Sequence, residues 1–228
     1  MTVLNQKRTG FYAVLLILLF SSSIISFGQD PKRFQKEIDT IDLKCHKYFK
    51  KIKTDNLIIF TGSSSIRRWT NLKDYFPSKN IINTGFGGSQ MSDLLYYCDS
   101  VITKYKPVQV FIYEGDNDIA AGKEPGEIMK DAEALFNKIT SKIPGVQIVI
   151  ISVKPSVLRW KLKDEYISLN KSYENISQTH KNIRYVDVWT PLLAKDGNPK
   201  KEIFISDSLH INKLGYDIWA DKIKKFLK

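Results

Sequence analysis

Cysteine and histidine are scarce in this chain, with two of the first and three of the second among 228 residues. No group at zinc-ligand spacing can be assembled from so few, and no disulfide framework of the small secreted kind is available. Cys45 and Cys98 read best as two separate buried thiols, since free cysteine packs as a small hydrophobe. An oxidising compartment would still permit a bridge between them. Low-complexity tracts and internal repeats are absent, which excludes solenoids and disordered linkers as the main architecture. The Gly-x-Ser-x-Gly nucleophile elbow is also absent. Acidic residues are outnumbered, giving a net charge of +11. The lysines are mostly scattered. The dense groups at Lys47–Lys53 and Lys222–Lys228 fall on expected helices, and no recognised nucleic-acid motif accompanies them. They read as solvated helix faces, so nucleic acid is not expected as a partner.

What is present begins with a leader. Lys7 and Arg8 precede an unbroken apolar run from Phe11 to Phe20, and small residues follow to Gly28. This is the pattern of a secretory signal peptide over residues 1–28, with an uncleaved anchor as the alternative. It implies export to the periplasm or the extracellular space, with no stable membrane association once the leader is cleaved. Loss of Lys7 and Arg8 lowers the charge from +11 to +9. Residues 29–228 then suit one domain with a sizeable core.

Strand and helix patterns alternate along that domain. Pro31 opens a helical stretch with Phe34, Ile38, Ile41, Cys45, Tyr48 and Ile52 at spacings of three or four. Short apolar runs at 57–60, 80–83, 108–113, 147–152 and 183–188 read as five strands. Between and after them, helices are expected over 89–105 (capped by Ser89 or Ser92), 124–142, 161–179 and 212–227. The last should bury Leu214, Ile218, Trp219, Ile223 and Phe226. Such alternation argues for a parallel sheet covered on both faces, with function at the carboxyl ends of the strands.

Four short segments fall at or near such ends. Gly62-Ser63-Ser64-Ser65-Ile66 follows the first strand, Gly85-Phe86-Gly87-Gly88 the second and Gly115-Asp116-Asn117-Asp118 the third. Asp207-Ser208-Leu209-His210 precedes the last helix. A serine is a weak nucleophile until a base takes its proton, and a strand-to-helix turn can expose Ser64 while aiming backbone N–H groups at developing charge. His210 has Asp207 three residues earlier, which on a helical turn places the two on one face, where the carboxylate would fix the imidazole tautomer. His46 and His180 read as structural or solvated. Gly88 offers an unobstructed N–H and Asn117 a neutral amide donor, both suited to an oxyanion. Each segment taken singly is also ordinary cap or turn chemistry.

Taken together, the four segments resemble the blocks of the SGNH hydrolases, the GDSL esterase/lipase family, from about Leu57 to the final helix. The resemblance implies a flavodoxin-like three-layer α/β/α fold with a central five-stranded parallel sheet. It implies acyl-ester hydrolysis with no metal or other cofactor. Residue by residue, it makes Ser64 the nucleophile, His210 the base and Asp207 its orienting acid. Ser64, Gly88 and Asn117 become the oxyanion donors. The family's aspartate before the nucleophile is Ser63 here, but Ile66 and Trp69 match a Gly-Ser-Ser-Ser-Ile variant of the block.

Substrate is read from less. Trp69, Tyr113, Trp160 and Trp189 either line a sugar or acyl site or serve as core and rim aromatics. Trp160 stands out, because it follows the fourth strand in a polar loop, Lys154-Pro155-Ser156-Val157-Leu158-Arg159-Trp160. No long insertion interrupts the pattern, so an open site is expected. A small-molecule or carbohydrate ester, with a short acyl group such as acetyl, is the expected substrate. A lysophospholipase, an acyltransferase and a non-catalytic binding protein are the alternatives on the same fold.

Overall fold

The computed structural model describes residues 30–50 and 55–228. The leader expected at residues 1–28 and the helical position Ile52 lie outside the described residues. Five strands form the sheet: β1 (Ile58–Gly62), β2 (Ile81–Asn83), β3 (Gln109–Tyr113), β4 (Gln147–Ile151) and β5 (Ile183–Val186). All neighbours are parallel, in the order β2-β1-β3-β4-β5. Helices cover both faces, making the three-layer α/β/α arrangement expected from the sequence.

Every residue of β1 and of β3 is buried, which is why these strands read as continuous apolar runs rather than as alternating ones. The pleat sends successive side chains to opposite faces. Ile59, Val110, Ile112, Ile148 and Ile150 meet helices α1 (Gln35–Phe49), α4 (Met91–Val101), α6 (Pro125–Lys142) and α7 (Lys163–Thr179) in one core. Ile58, Phe60, Phe111, Tyr113, Val149 and Ile151 face the other core. There they meet the short helices α2 (Ser64–Arg67) and α3 (Leu72–Tyr75) and the last long helix, α8 (Lys213–Ile223). A five-residue helix, α5 (Asp116–Ala120), follows β3.

Several expectations shift in detail. The cap of α4 is Gln90, which exchanges a capping box with Asp93, rather than Ser89 or Ser92. That helix ends at Val101 and passes into a tighter turn at Thr103–Tyr105. In α8 the buried stripe is Gly215, Tyr216, Trp219, Ala220 and Ile223, whereas Leu214 is 53% exposed. The reason is a close approach: a Cβ on Gly215 would lie 2.6 Å from Ile211 Cβ, so the glycine face is the one that packs inward. Cys45 and Cys98 are buried free thiols. Burial raises both, the Cys98 thiol to about 12. Among the described residues, no helix is long and apolar enough to cross a membrane.

Candidate active site

The turn after β1 depends on Gly62. Its φ of +123° is one that L side chains rarely adopt, and an added Cβ would sit 2.0 Å from the carbonyl oxygen of Tyr113 on the neighbouring strand. The close approach lets Ser63 N–H donate to that same oxygen at 3.0 Å. The chain then enters α2 with Ser64 as its first residue. Two outside groups hold α2 in place. Asn83, at the end of β2, donates to the carbonyls of Ile66 (2.6 Å) and Trp69 (3.2 Å). Tyr216 of α8 donates to the carbonyl of Ser65 at 2.8 Å.

His210 reaches Ser64 from the other end of the chain. Its Nε2 is 2.9 Å from Ser64 Oγ, and its Nδ1 is 2.6 Å from Asp207 Oδ2. The segment 207–210 is not a helical turn, as the three-residue spacing implied. Asp207 Oδ1 accepts the backbone N–H groups of Leu209 and His210, each at 2.9 Å, and Ser208 takes a positive φ of 57°. One carboxylate therefore shapes its own turn with one oxygen and orients the imidazole with the other. The cap of α8 is Asn212, not Asp207. Burial pushes the Asp207 carboxyl up, but the bonds from the His210 ring and from the two backbone N–H groups outweigh it, and it titrates at about 2.

Ser64, Gly88 and Asn117 are the neutral donors expected from the sequence. Among the described residues, no acceptor is paired with the backbone N–H of Ser64 or of Gly88. Gly88 has a φ of +82°, and nothing lies within 4 Å of where its Cβ would be, so approach to it is open. Asn117 sits in the first turn of α5 and spends one amide N–H on the carbonyl of Ser89 at 2.9 Å. Its second N–H remains for a ligand. Unpaired, fixed N–H donors of this kind are the groups that can hold a developing oxyanion without reorganising. Among the described residues, no group of three or more His, Cys, Asp or Glu side chains is placed to hold a metal ion.

The chain from Leu57 to Ile218 matches the model of the GDSL-like lipase/acylhydrolase family. The chain belongs to the GDSL-like lipase/acylhydrolase family. The family's reaction class is carboxylic ester hydrolysis, and its members act on small-molecule esters. Solved structures share the fold. A candidate platelet activating factor from Streptococcus pneumonia superposes with a TM-score of 0.74 at 24% identity, over 86% of this chain and 95% of that one. A GDSL-like lipase from Bacteroides thetaiotaomicron gives 0.70 at 20% identity, over 87% and 97%. An acetylxylan esterase from Geobacillus stearothermophilus gives 0.63 at 14% identity, over 78% and 96%. At these identities the likeness is one of fold. No curated protein matches the chain.

Two of the aromatics singled out from the sequence have no surface to offer a ligand. Trp69 is 0% exposed, stacked against Tyr216 with ring centroids 4.9 Å apart. It follows Ile66 by three residues, so both turn inward toward β1. Tyr113 is likewise buried, and its hydroxyl donates to Asp116 Oδ2 at 2.9 Å. Trp160 is half-buried and stacks on Trp189 at 5.9 Å. It borders a cavity of about 510 Å³ with Val157, Asp196, Asn198 and Lys200. Its loop touches the turn that carries His210, because Leu158 N–H donates to the carbonyl of Ser208 at 3.1 Å.

Sequence reasoning passed over a buried ionic group behind Asn117. Asp116 accepts from Lys154 Nζ at 3.1 Å, from the hydroxyls of Tyr113 and Tyr166, and from Arg159. Burial opposes its ionisation, but Lys154 and Arg159 hold the carboxyl far below the usual range. Two residues earlier, Glu114 is also buried, and burial drives its carboxyl well up. The Ser89 hydroxyl lies 2.5 Å from Glu114 Oε1, to which it donates, and 3.0 Å from the Phe86 carbonyl.

Proposed function

We propose that this chain is an exported serine esterase that removes short acyl groups, acetyl foremost, from carbohydrate esters. The observation that carries the reading is the unbroken hydrogen-bonded chain Asp207–His210–Ser64, at 2.6 and 2.9 Å. His210 Nε2 takes the Ser64 proton as Oγ attacks the ester carbonyl. The backbone N–H groups of Ser64 and Gly88 and the free amide N–H of Asn117 hold the resulting oxyanion. His210 then gives its proton to the departing alcohol. Water, deprotonated by His210, attacks the acyl-enzyme and releases the acid and Ser64. Asp207 stays ionised throughout, since it titrates at about 2.

Three features support the substrate class. The leader pattern supports export, to a setting where polysaccharide esters occur. The cavity beside Trp160 is lined by Asp196, Asn198 and Lys200, which suit hydroxyl-rich alcohols better than lipid tails. One structural relative is an acetylxylan esterase. The test is turnover of p-nitrophenyl esters from acetyl to long acyl chains, followed by acetylated oligosaccharides, with Ser64→Ala beside the wild type. Acetyl-selective turnover that the substitution abolishes is expected. Preference for long chains would overturn the substrate class, and turnover by Ser64→Ala would overturn the site.

A further inference from the structure

An asparagine that serves an oxyanion must present nitrogen rather than oxygen, and its two ends are nearly alike in shape. Something has to decide which way the amide faces. In this protein the decision is made from both ends. Arg159 places Nη1 and Nη2 each 3.2 Å from Asn117 Oδ1. A guanidinium has donors only, so the atom it faces with two of them is held as the oxygen. On the other end, the Ser89 carbonyl can only accept, and it takes one N–H of the amide at 2.9 Å. The remaining N–H is thereby left pointing away from both anchors.

Arg159 is itself held. Its Nη1 donates to both the carbonyl and the carboxylate of Asp116, which is 7% exposed and tied to Lys154 on its far side. Asp116 and Asn117 are adjacent, so one guanidinium grips two consecutive residues of α5. The arginine comes from the loop after β4, the same loop whose Leu158 N–H bonds the Ser208 carbonyl in the turn of the base. The consequence is more than geometry. A cation on the amide oxygen draws electron density from the nitrogen and strengthens the free N–H as a donor.

We propose that Arg159 is the positioning residue of the oxyanion site, fixing the amide of Asn117 nitrogen-outward and polarising its free N–H. The inference rests on Asn117 being an oxyanion donor. It assigns Arg159 an effect on the transition state and none on ground-state binding.

The test is a double-mutant cycle in the full chain with p-nitrophenyl acetate, using Arg159→Met, Asn117→Ala and the pair, with folding checked by thermal melting. Arg159→Met should lower kcat by about 10- to 100-fold, part of what removing a whole oxyanion donor costs. KM should stay within about two-fold, because the interaction is made in the transition state. In the Asn117→Ala background the same change should alter kcat by less than about two-fold, since the effect runs through that amide. Arg159→Lys keeps a charge beside Asp116 but has no fork. It should recover only part of kcat, and it carries the cycle if the methionine variant does not fold. Losses that multiply across the cycle would overturn the proposal, as would wild-type kcat in a folded Arg159→Met or Arg159→Lys protein. Wild-type kcat in Asn117→Ala would instead remove the oxyanion role of Asn117 itself, a different failure with a different signature.

Discussion

The two arms of the site are built in opposite ways. On one side, Asp207 and His210 sit on a short surface turn, with side chains 38% and 16% exposed. On the other, Asn117 stands on Asp116 and Lys154, whose side chains are 7% and 1% exposed. The first arm contains the groups that exchange protons, and it is held by an Asx turn, by backbone bonds between Ile205 and both Ser208 and His210, and by the bond from Leu158. The second arm contains a group that must present the same N–H through every step, and it is anchored in the core. Solvent contact is left where a proton has to come and go. Rigidity is concentrated where the chemistry asks only for a fixed dipole.

That contrast predicts a separation of activity from stability. Ser64→Ala should have the largest effect, a fall in kcat of at least about 10⁴-fold, read from initial ester hydrolysis rates. Its melting temperature should remain that of the wild type, because the hydroxyl makes no contact that holds the fold beyond the one to His210. Asp207→Asn should follow, losing up to about 10⁴-fold through the wrong imidazole tautomer. Its stability should change by no more than about 1 kcal/mol, since the carboxylate is more than a third exposed. A large loss of stability in Asp207→Asn would break the comparison from the surface side.

Asp116→Asn probes the other arm. It removes the counter-charge of a buried lysine and of Arg159 together, and should cost about 3–5 kcal/mol in urea unfolding. A cost smaller than that of Asp207→Asn would show that the buried group is not the anchor its burial implies. Gly62→Ala belongs with it. The added methyl would meet the Tyr113 carbonyl and require a φ of +123°, so expression of folded protein should drop sharply.

Much of this arrangement could be read from the chain before any fold was in view, and the limits are physical. The five strands were visible because a parallel sheet buried on both faces leaves apolar runs that few other elements produce. The segments at Ser64, Gly88, Asn117 and His210 were visible because turn residues at strand ends have few alternatives. Arg159 was not, since 42 residues separate it from Asn117 and nothing in a Leu-Arg-Trp loop says where a guanidinium will land. Trp69 and Tyr113 were open to misreading because local sequence marks an aromatic as apolar without saying whether it turns inward. Leu214 lies on the outer face for a similar reason, as the helix packs through a close contact at Gly215 that hydrophobicity alone does not register.

Glu114 sharpens the comparison by its pH dependence. It belongs to the buried arm, since the Ser89 hydroxyl it grips lies on the same residue whose carbonyl takes the Asn117 N–H. Its carboxyl is raised well above the ordinary value, first by burial and then by the charge of Asp118. Below the unfolded value, about 4.3 for glutamate, both folded and unfolded chains carry the proton, and the neutral group costs nothing electrostatically. As pH climbs past that value the unfolded chain ionises while the folded one does not. The unfolded state then binds fewer protons, and stability falls with rising pH, by up to about 1.4 kcal/mol for each unit until the folded group also titrates. Glu114→Gln has no proton to lose and keeps an acceptor for the Ser89 hydroxyl. Its melting temperature, measured against the wild type from pH 4 to pH 8, should show a difference that grows steadily in favour of the variant. Asp93 and Asp118, also raised by burial, remain in both proteins. A difference that stays constant across the range would mean Glu114 is already ionised in the fold. The Ser89 anchor would then be an ordinary hydroxyl-to-carboxylate bond, and the buried arm would rest on Asp116 alone.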